Sequence, residues 1–120
     1  MIKNKTFFCD IDGTLIKYRE FVTYETNPAV PIESTIEYIT DQFNDGHMIL
    51  LTTARPEELR RHTELELEMN NIPYHRLIMG IERGPRYLIN DLSPKEPGDR
   101  AIAINLVRDQ GINETSLDLQ

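Results

Sequence analysis

The chain of 120 residues has one cysteine, no tryptophan and three histidines. A single cysteine excludes an internal disulfide, so packing alone must hold the fold. That thiol, Cys9, lies within an apolar run and reads as a small buried hydrophobe rather than a reactive group. His47, His62 and His75 fall at unrelated places with no metal-ligand spacing, so they are expected to be ordinary surface or half-buried residues. Long apolar runs are also missing. No stretch approaches the roughly 20 residues that a membrane-crossing helix needs, and the first apolar run is too short for a secretory signal core. The expectation is a cytoplasmic protein with no membrane partner. Positive charge is scarce, with 13 basic residues against 20 acidic ones and a net charge of −7. No basic stripe with interleaved aromatics stands out, so nucleic acid is not expected as the main partner. An anionic substrate would need a local cation or a metal to overcome the overall field.

What is present is an ordinary globular composition, 39% hydrophobic and 28% charged, and enough chain for one domain spanning 1–120. A strand is expected at about Thr6 to Asp10. A long connection follows, with residues 16–28 reading as a flap that carries Tyr18, Phe21 and Tyr24. Those aromatics either meet a substrate or pack on the core or at a subunit interface. Pro31 opens a helix with Ile32, Ile36, Ile39 and Phe43 on one face, stopped by Gly46. "HMILLTT" reads as a second strand, apolar throughout as in a parallel sheet covered on both faces. Pro56 opens a second helix with a weaker stripe at Leu59, Thr63 and Leu67. "HRLIMG", "RYLIN" and "AIAINL" read as strands three, four and five. The alternation predicts an α/β fold with a mainly parallel sheet of about five strands flanked by helices. The tail, 111–120, is weakly patterned: an edge element, an interface segment or a frayed end.

In open α/β sheets ligands bind outside the carboxyl ends of the strands. The first expected strand ends in Asp10 and Asp12, the second in Thr52, Thr53 and Arg55, the fourth in Asn90 and Asp91. Residues two apart in extended chain point the same way, so Asp10 and Asp12 can face one point. Two carboxylates there repel unless a cation lies between them, and magnesium suits hard oxygen donors. Gly13 permits a sharp turn and is expected to expose backbone amides to a phosphate. A calcium loop does not fit, because the spaced third acid and the closing glutamate are missing.

"FFCDIDGTL" resembles the first motif of the haloacid dehalogenase-like (HAD) superfamily, an apolar strand followed by D-x-D-G-T. "MILLTTARP" is similar to the second motif, and "RYLINDLSP" resembles the fourth, a strand ending in acids. The resemblance spans most of the chain. It implies a Rossmann-like core and magnesium-dependent phosphoryl transfer through an aspartyl-phosphate. By the same resemblance Asp10 is the nucleophile and Asp12 the general acid, then the base. Magnesium would take a carboxylate oxygen of Asp10, the main-chain carbonyl of Asp12 and the Asp91 side chain, with Asn90 the alternative ligand. Thr53, in preference to Thr52, would hold the transferred phosphate. The family's phosphate-binding lysine has no clear counterpart; Arg83 or Arg86 would serve, offering a fork of donors instead of a point charge. The gaps between motifs leave no room for a cap domain. Cap-less members act on large accessible substrates or close the site with a neighbouring subunit, which here implies a small phosphorylated substrate, such as a sugar phosphate, in a homo-oligomer. Two other readings stay open: a non-catalytic phospholigand-binding or regulatory module, and a phosphatase acting on nucleotides or polynucleotide ends.

Overall fold

The computed structural model describes residues 4–20 and 23–118. Three strands, β1 (Thr6–Asp10), β2 (Met48–Thr52) and β3 (Arg76–Ile78), form one parallel sheet in the order β1-β2-β3. Parallel neighbours require crossovers. Helix α1 (Glu33–Asn44) supplies the first, and a 3₁₀ turn (Glu57–Leu59) running into helix α2 (Arg60–Met69) supplies the second. A short helix, α3 (Glu114–Asp118), ends the described chain. Among the described residues no helix is long and apolar enough to cross a membrane.

Strand register places Cys9 beside Leu51, and Leu51 beside Leu77. These three share one core cluster with Ile36 and Ile39 of α1 and Leu67 of α2. The three- and four-residue spacing expected of α1 is what buries Ile36 and Ile39, while Ile32 is buried just ahead of the helix. After Asn44 the chain leaves through Gly46 at φ +91°, a conformation that favours glycine. Burial also settles Cys9: it pushes the thiol pKa up to about 12, with the Asp10 charge adding to it, so the thiol is inert at neutral pH.

Three sequence expectations need correction. The sheet is covered on one face, not both: on the other, Phe8 is 55% exposed, and Met48 and Ile78 are also exposed. Residues 86–90 and 101–106 form no strand, which leaves β1 with an open edge among the described residues. Apolar letters give a segment strand propensity, but a strand exists only where a partner completes its ladder. Here Tyr87 and Ile89 are 87% and 90% exposed, and the stretch bonds locally, as in the Arg86 Nη1 bonds to the carbonyls of Arg83 and Gly84.

The described part of 16–28 is a loop held by hydrogen bonds. Lys17 N–H donates to the Val30 carbonyl at 2.8 Å, and Arg19 Nη1 donates to the carbonyls of Tyr24 and Asn27 at 3.2 and 2.8 Å. Phe21 lies outside the described residues. The tail is anchored at its start, at residues 111 and 112. Gly111 is buried at φ +77°, where a Cβ would lie 2.8 Å from Ile32 Cγ2, and Ile112 N–H donates to Thr35 Oγ1 at 3.1 Å.

Candidate active site

β1 delivers Asp10 to the carboxyl edge of the sheet, and a tight turn follows. The Ile11 carbonyl accepts N–H bonds from Thr14, Leu15 and Ile16 at 3.2, 2.8 and 3.1 Å. Gly13, at φ +88°, donates its own N–H to the Ile16 carbonyl at 2.7 Å. This corrects the expectation that Gly13 presents an open amide to phosphate, since that donor is spent inside the turn. The glycine is needed for its positive φ and because a Cβ there would lie 3.2 Å from Arg108 Cγ.

Asp10 is half-buried and receives the Thr14 hydroxyl on Oδ2 at 3.3 Å. Burial raises its pKa above the ordinary 3.8. Arg86 opposes that rise, Asp12 adds to it, and the bonds from Thr14 and the Ile11 backbone oppose it. Its neighbour across the ladder is Thr52. Asp10, Thr14, Thr52 and Arg86 line a groove of about 630 Å³ that runs along β1 and is bounded by residues of 85–88 and 102–106.

Asp12 is held differently. Both its oxygens accept from one buried guanidinium, Arg55 Nε to Oδ2 at 3.0 Å and Nη2 to Oδ1 at 2.8 Å. The Arg55 side chain is 0% exposed. Its remaining nitrogen, Nη1, donates to Glu66 Oε1 at 2.9 Å and Thr63 Oγ1 at 3.1 Å. Glu66 in turn accepts two bonds from Arg19, at 2.9 and 2.8 Å. The Tyr24 ring lies under both guanidiniums, 4.4 Å from Arg55 and 5.2 Å from Arg19, and its hydroxyl bonds Asp12. Burial, then the Asp12 charge, pushes the Tyr24 pKa up to about 12, so at neutral pH this hydroxyl is a donor. A buried fork on a carboxylate is the strong, geometrically specific form of this contact. It takes one acceptor position on each Asp12 oxygen and leaves others for a proton or a water.

The remaining expected site residues are placed unequally. Thr53 is 1% exposed, and its Oγ1 accepts the Arg55 N–H at 3.1 Å, shaping the turn that aims Arg55. Of the two threonines the accessible one is therefore Thr52. Arg86 acts on Asp10, and Arg83 acts on Tyr24. Asn90 and Asp91 are not brought to the Asp10–Asp12 turn. Asn90 is exposed, and the Asp91 side chain is 73% exposed and pairs with Arg100 at 3.1 Å. Among the described residues no three His, Cys, Asp or Glu side chains group as metal ligands. The four-residue ligand set read from the sequence is thus divided, because the segment carrying its second half has no ladder to fix it. The half at β1 does suit magnesium: Asp10 supplies a hard oxygen where burial and a like charge disfavour ionisation, both of which a cation relieves.

Arg19 and Glu66 were missed in the sequence, and Arg55 was noted only as lying at a strand end. Ion pairs between residues 43 or 47 apart leave no local period. The one available signal was Glu66 itself, an acid beside the apolar stripe of α2 that ends buried with Thr63 and Leu67.

In architecture the chain is similar to a Vibrio cholerae protein whose crystal structure was solved as an MCSG target. The TM-score is 0.53 and the identity 16%, over 96% of this chain and 94% of that one. A likeness at that identity supports the arrangement of helices and strands and nothing further. No family model matches the chain, and no curated protein matches it.

Proposed function

We propose that this chain is a HAD-like, magnesium-dependent phosphatase that hydrolyses a small phosphomonoester, such as a sugar phosphate, in the cytoplasm. One observation carries the reading. A half-buried Asp10 at the carboxyl end of β1 faces a groove with a hydroxyl and a guanidinium on its walls, while Asp12, one turn on, is clamped by Arg55. The first is the arrangement of a nucleophile and the second that of a positioned acid and base.

In the first step an Asp10 oxygen forms a bond to phosphorus and the ester P–O bond breaks. Asp12 gives its proton to the leaving oxygen. In the second, Asp12 takes a proton from water, the water oxygen bonds to phosphorus, and the acyl-phosphate P–O bond breaks to release phosphate and restore Asp10. Asp10, the Asp12 main-chain carbonyl and Asp91 or Asn90 would hold magnesium, which neutralises charge on the phosphoryl oxygens. Arg86, nearer Asp10, would clamp the phosphate with Thr52, and Arg83 and Thr53 support it. The finer fold belongs to the same proposal: residues 86–90 and 101–106 add to the open edge of β1 when ligand binds. That completes a five-stranded Rossmann-like sheet and carries Asp91 toward Asp10. A second subunit would then close the cap-less site.

Phosphate release from a generic phosphomonoester should require magnesium and fall roughly a thousandfold or more in Asp10→Asn. Robust turnover by that variant would sink the nucleophile assignment. A second reading, a binding module without turnover, is favoured by the separation of Asp91 from Asp10. Tight phosphate binding with no release across a broad ester panel would select it.

A further inference from the structure

The turn after residue 106 is fastened to the catalytic turn in a way the proposed reaction does not require. Asp109 N–H donates to the Gly13 carbonyl at 2.9 Å, and Asp109 Oδ1 accepts the Tyr18 N–H at 2.7 Å. Asp109 holds φ +67°, a left-handed conformation that non-glycine residues rarely adopt. Those two bonds hold it there. Their effect is to aim Arg108. Its Cγ and Nε lie 3.2 and 3.8 Å from where a Cβ of Gly13 would stand, and its guanidinium stacks on the Tyr18 ring at 4.0 Å.

Arg19, Arg55, Arg60 and Arg100 each meet a carboxylate; Arg108 makes no ion pair among the described residues and is instead held by the Tyr18 ring beside the Gly13 turn. Stacking fixes the guanidinium plane and leaves its N–H edge without an acceptor among the described residues. A fixed fork matches an anion that accepts two parallel bonds, a phosphate or a carboxylate; with Arg86 assigned to the phosphate beside Asp10, a carboxylate is the anion left for Arg108.

We infer that Arg108, oriented by Tyr18, binds a carboxylate on the substrate beyond the phosphate that is removed. On this account the preferred substrate is a phosphomonoester of a hydroxy acid. The inference rests on the phosphatase reading, and its test separates the two. Phosphoglycolate and ethylene glycol monophosphate differ only in a carboxylate replacing a hydroxymethyl group. The wild-type protein should show the higher kcat/KM for phosphoglycolate. Arg108→Gln should lower the ratio between the two esters at least tenfold, chiefly through KM, and Arg108→Lys should recover part of it. Tyr18→Leu should lower the ratio less. Equal losses on both esters, or an unchanged ratio, would overturn the inference and leave the phosphatase reading intact. A preference for ethylene glycol bisphosphate over phosphoglycolate would overturn the carboxylate assignment. If neither ester is hydrolysed, calorimetric binding of both to wild type and Arg108→Gln gives the same ratio without turnover. Loss of the phosphoglycolate preference in the variant then supports the carboxylate site, and its retention removes it.

Discussion

Residues 5–80 and residues 81–107 both contain strand-like apolar runs, yet they end in opposite environments. In the first region each run finds a partner: β1 lies on β2, β2 on β3, and the crossing helices bury one face. Its charges are treated alike, with Asp12, Arg55, Glu66 and Arg19 joined in an interior chain of alternating sign. In the second region Tyr87 and Ile89 face solvent, and its one ion pair among the described residues, Asp91–Arg100, is exposed. The same kinds of residue therefore differ in energetic weight according to whether a partner desolvates them.

The sharpest way to test that contrast is to remove one arginine from each region. Arg55→Met leaves two carboxylates facing a buried gap and should cost about 3–5 kcal/mol in denaturant unfolding. Arg100→Met should cost less than about 1 kcal/mol, because exposed pairs contribute little. Similar losses would erase the distinction.

A smaller effect comes from Glu66. Burial pushes its pKa up, but the bonds from Arg19 and Arg55 outweigh that and hold it below the ordinary 4.5. A lowered carboxylate stabilises the fold above its unfolded pKa and loses that contribution as pH falls through the folded value. Thermal stability should therefore fall below about pH 4.5, and Glu66→Gln should flatten part of that slope while lowering stability at neutral pH.

Asp10 has the opposite sign. Its raised pKa means that the ionised form costs stability; that cost grows as pH rises from the ordinary 3.8 to the folded pKa and is constant above it. Without metal at neutral pH, Asp10→Asn should raise Tm by a few degrees. Added magnesium should stabilise the wild-type chain more than the variant, by mass action at the site. Equal metal shifts would remove Asp10 from the ligand set.

The smallest expected change is Ile89→Asp, within about 0.5 kcal/mol while that side chain is exposed. Hydrogen exchange at residues 87–90 should slow when magnesium and a tetrahedral phosphate mimic are added. Unchanged exchange would count against the added strand.

Much of the packed region was legible in the sequence because its signals are local. The apolar run into Asp10 gave β1, and the spacing of Ile36 and Ile39 gave the buried face of α1. Arg55 and Glu66 were visible as letters, but their contact closes over a turn and a helix, and Arg19 reaches Glu66 from a loop with no period. "RYLIN" and "AIAINL" misled because propensity describes a segment while pairing describes two. Thr53 and Gly13 were read as ligand groups, yet one hydroxyl and one amide are already engaged in holding turns.

The shared carboxylate of Glu66 has a consequence for how this chain can vary. Replacing any one of Asp12, Arg55, Glu66 or Arg19 leaves an odd charge in the interior, and no single exchange restores balance. These four positions should therefore be inherited as a block. Among relatives they should be kept together or exchanged together, and a partial set should occur only where a compensating ion or altered neighbour has taken the missing member's place.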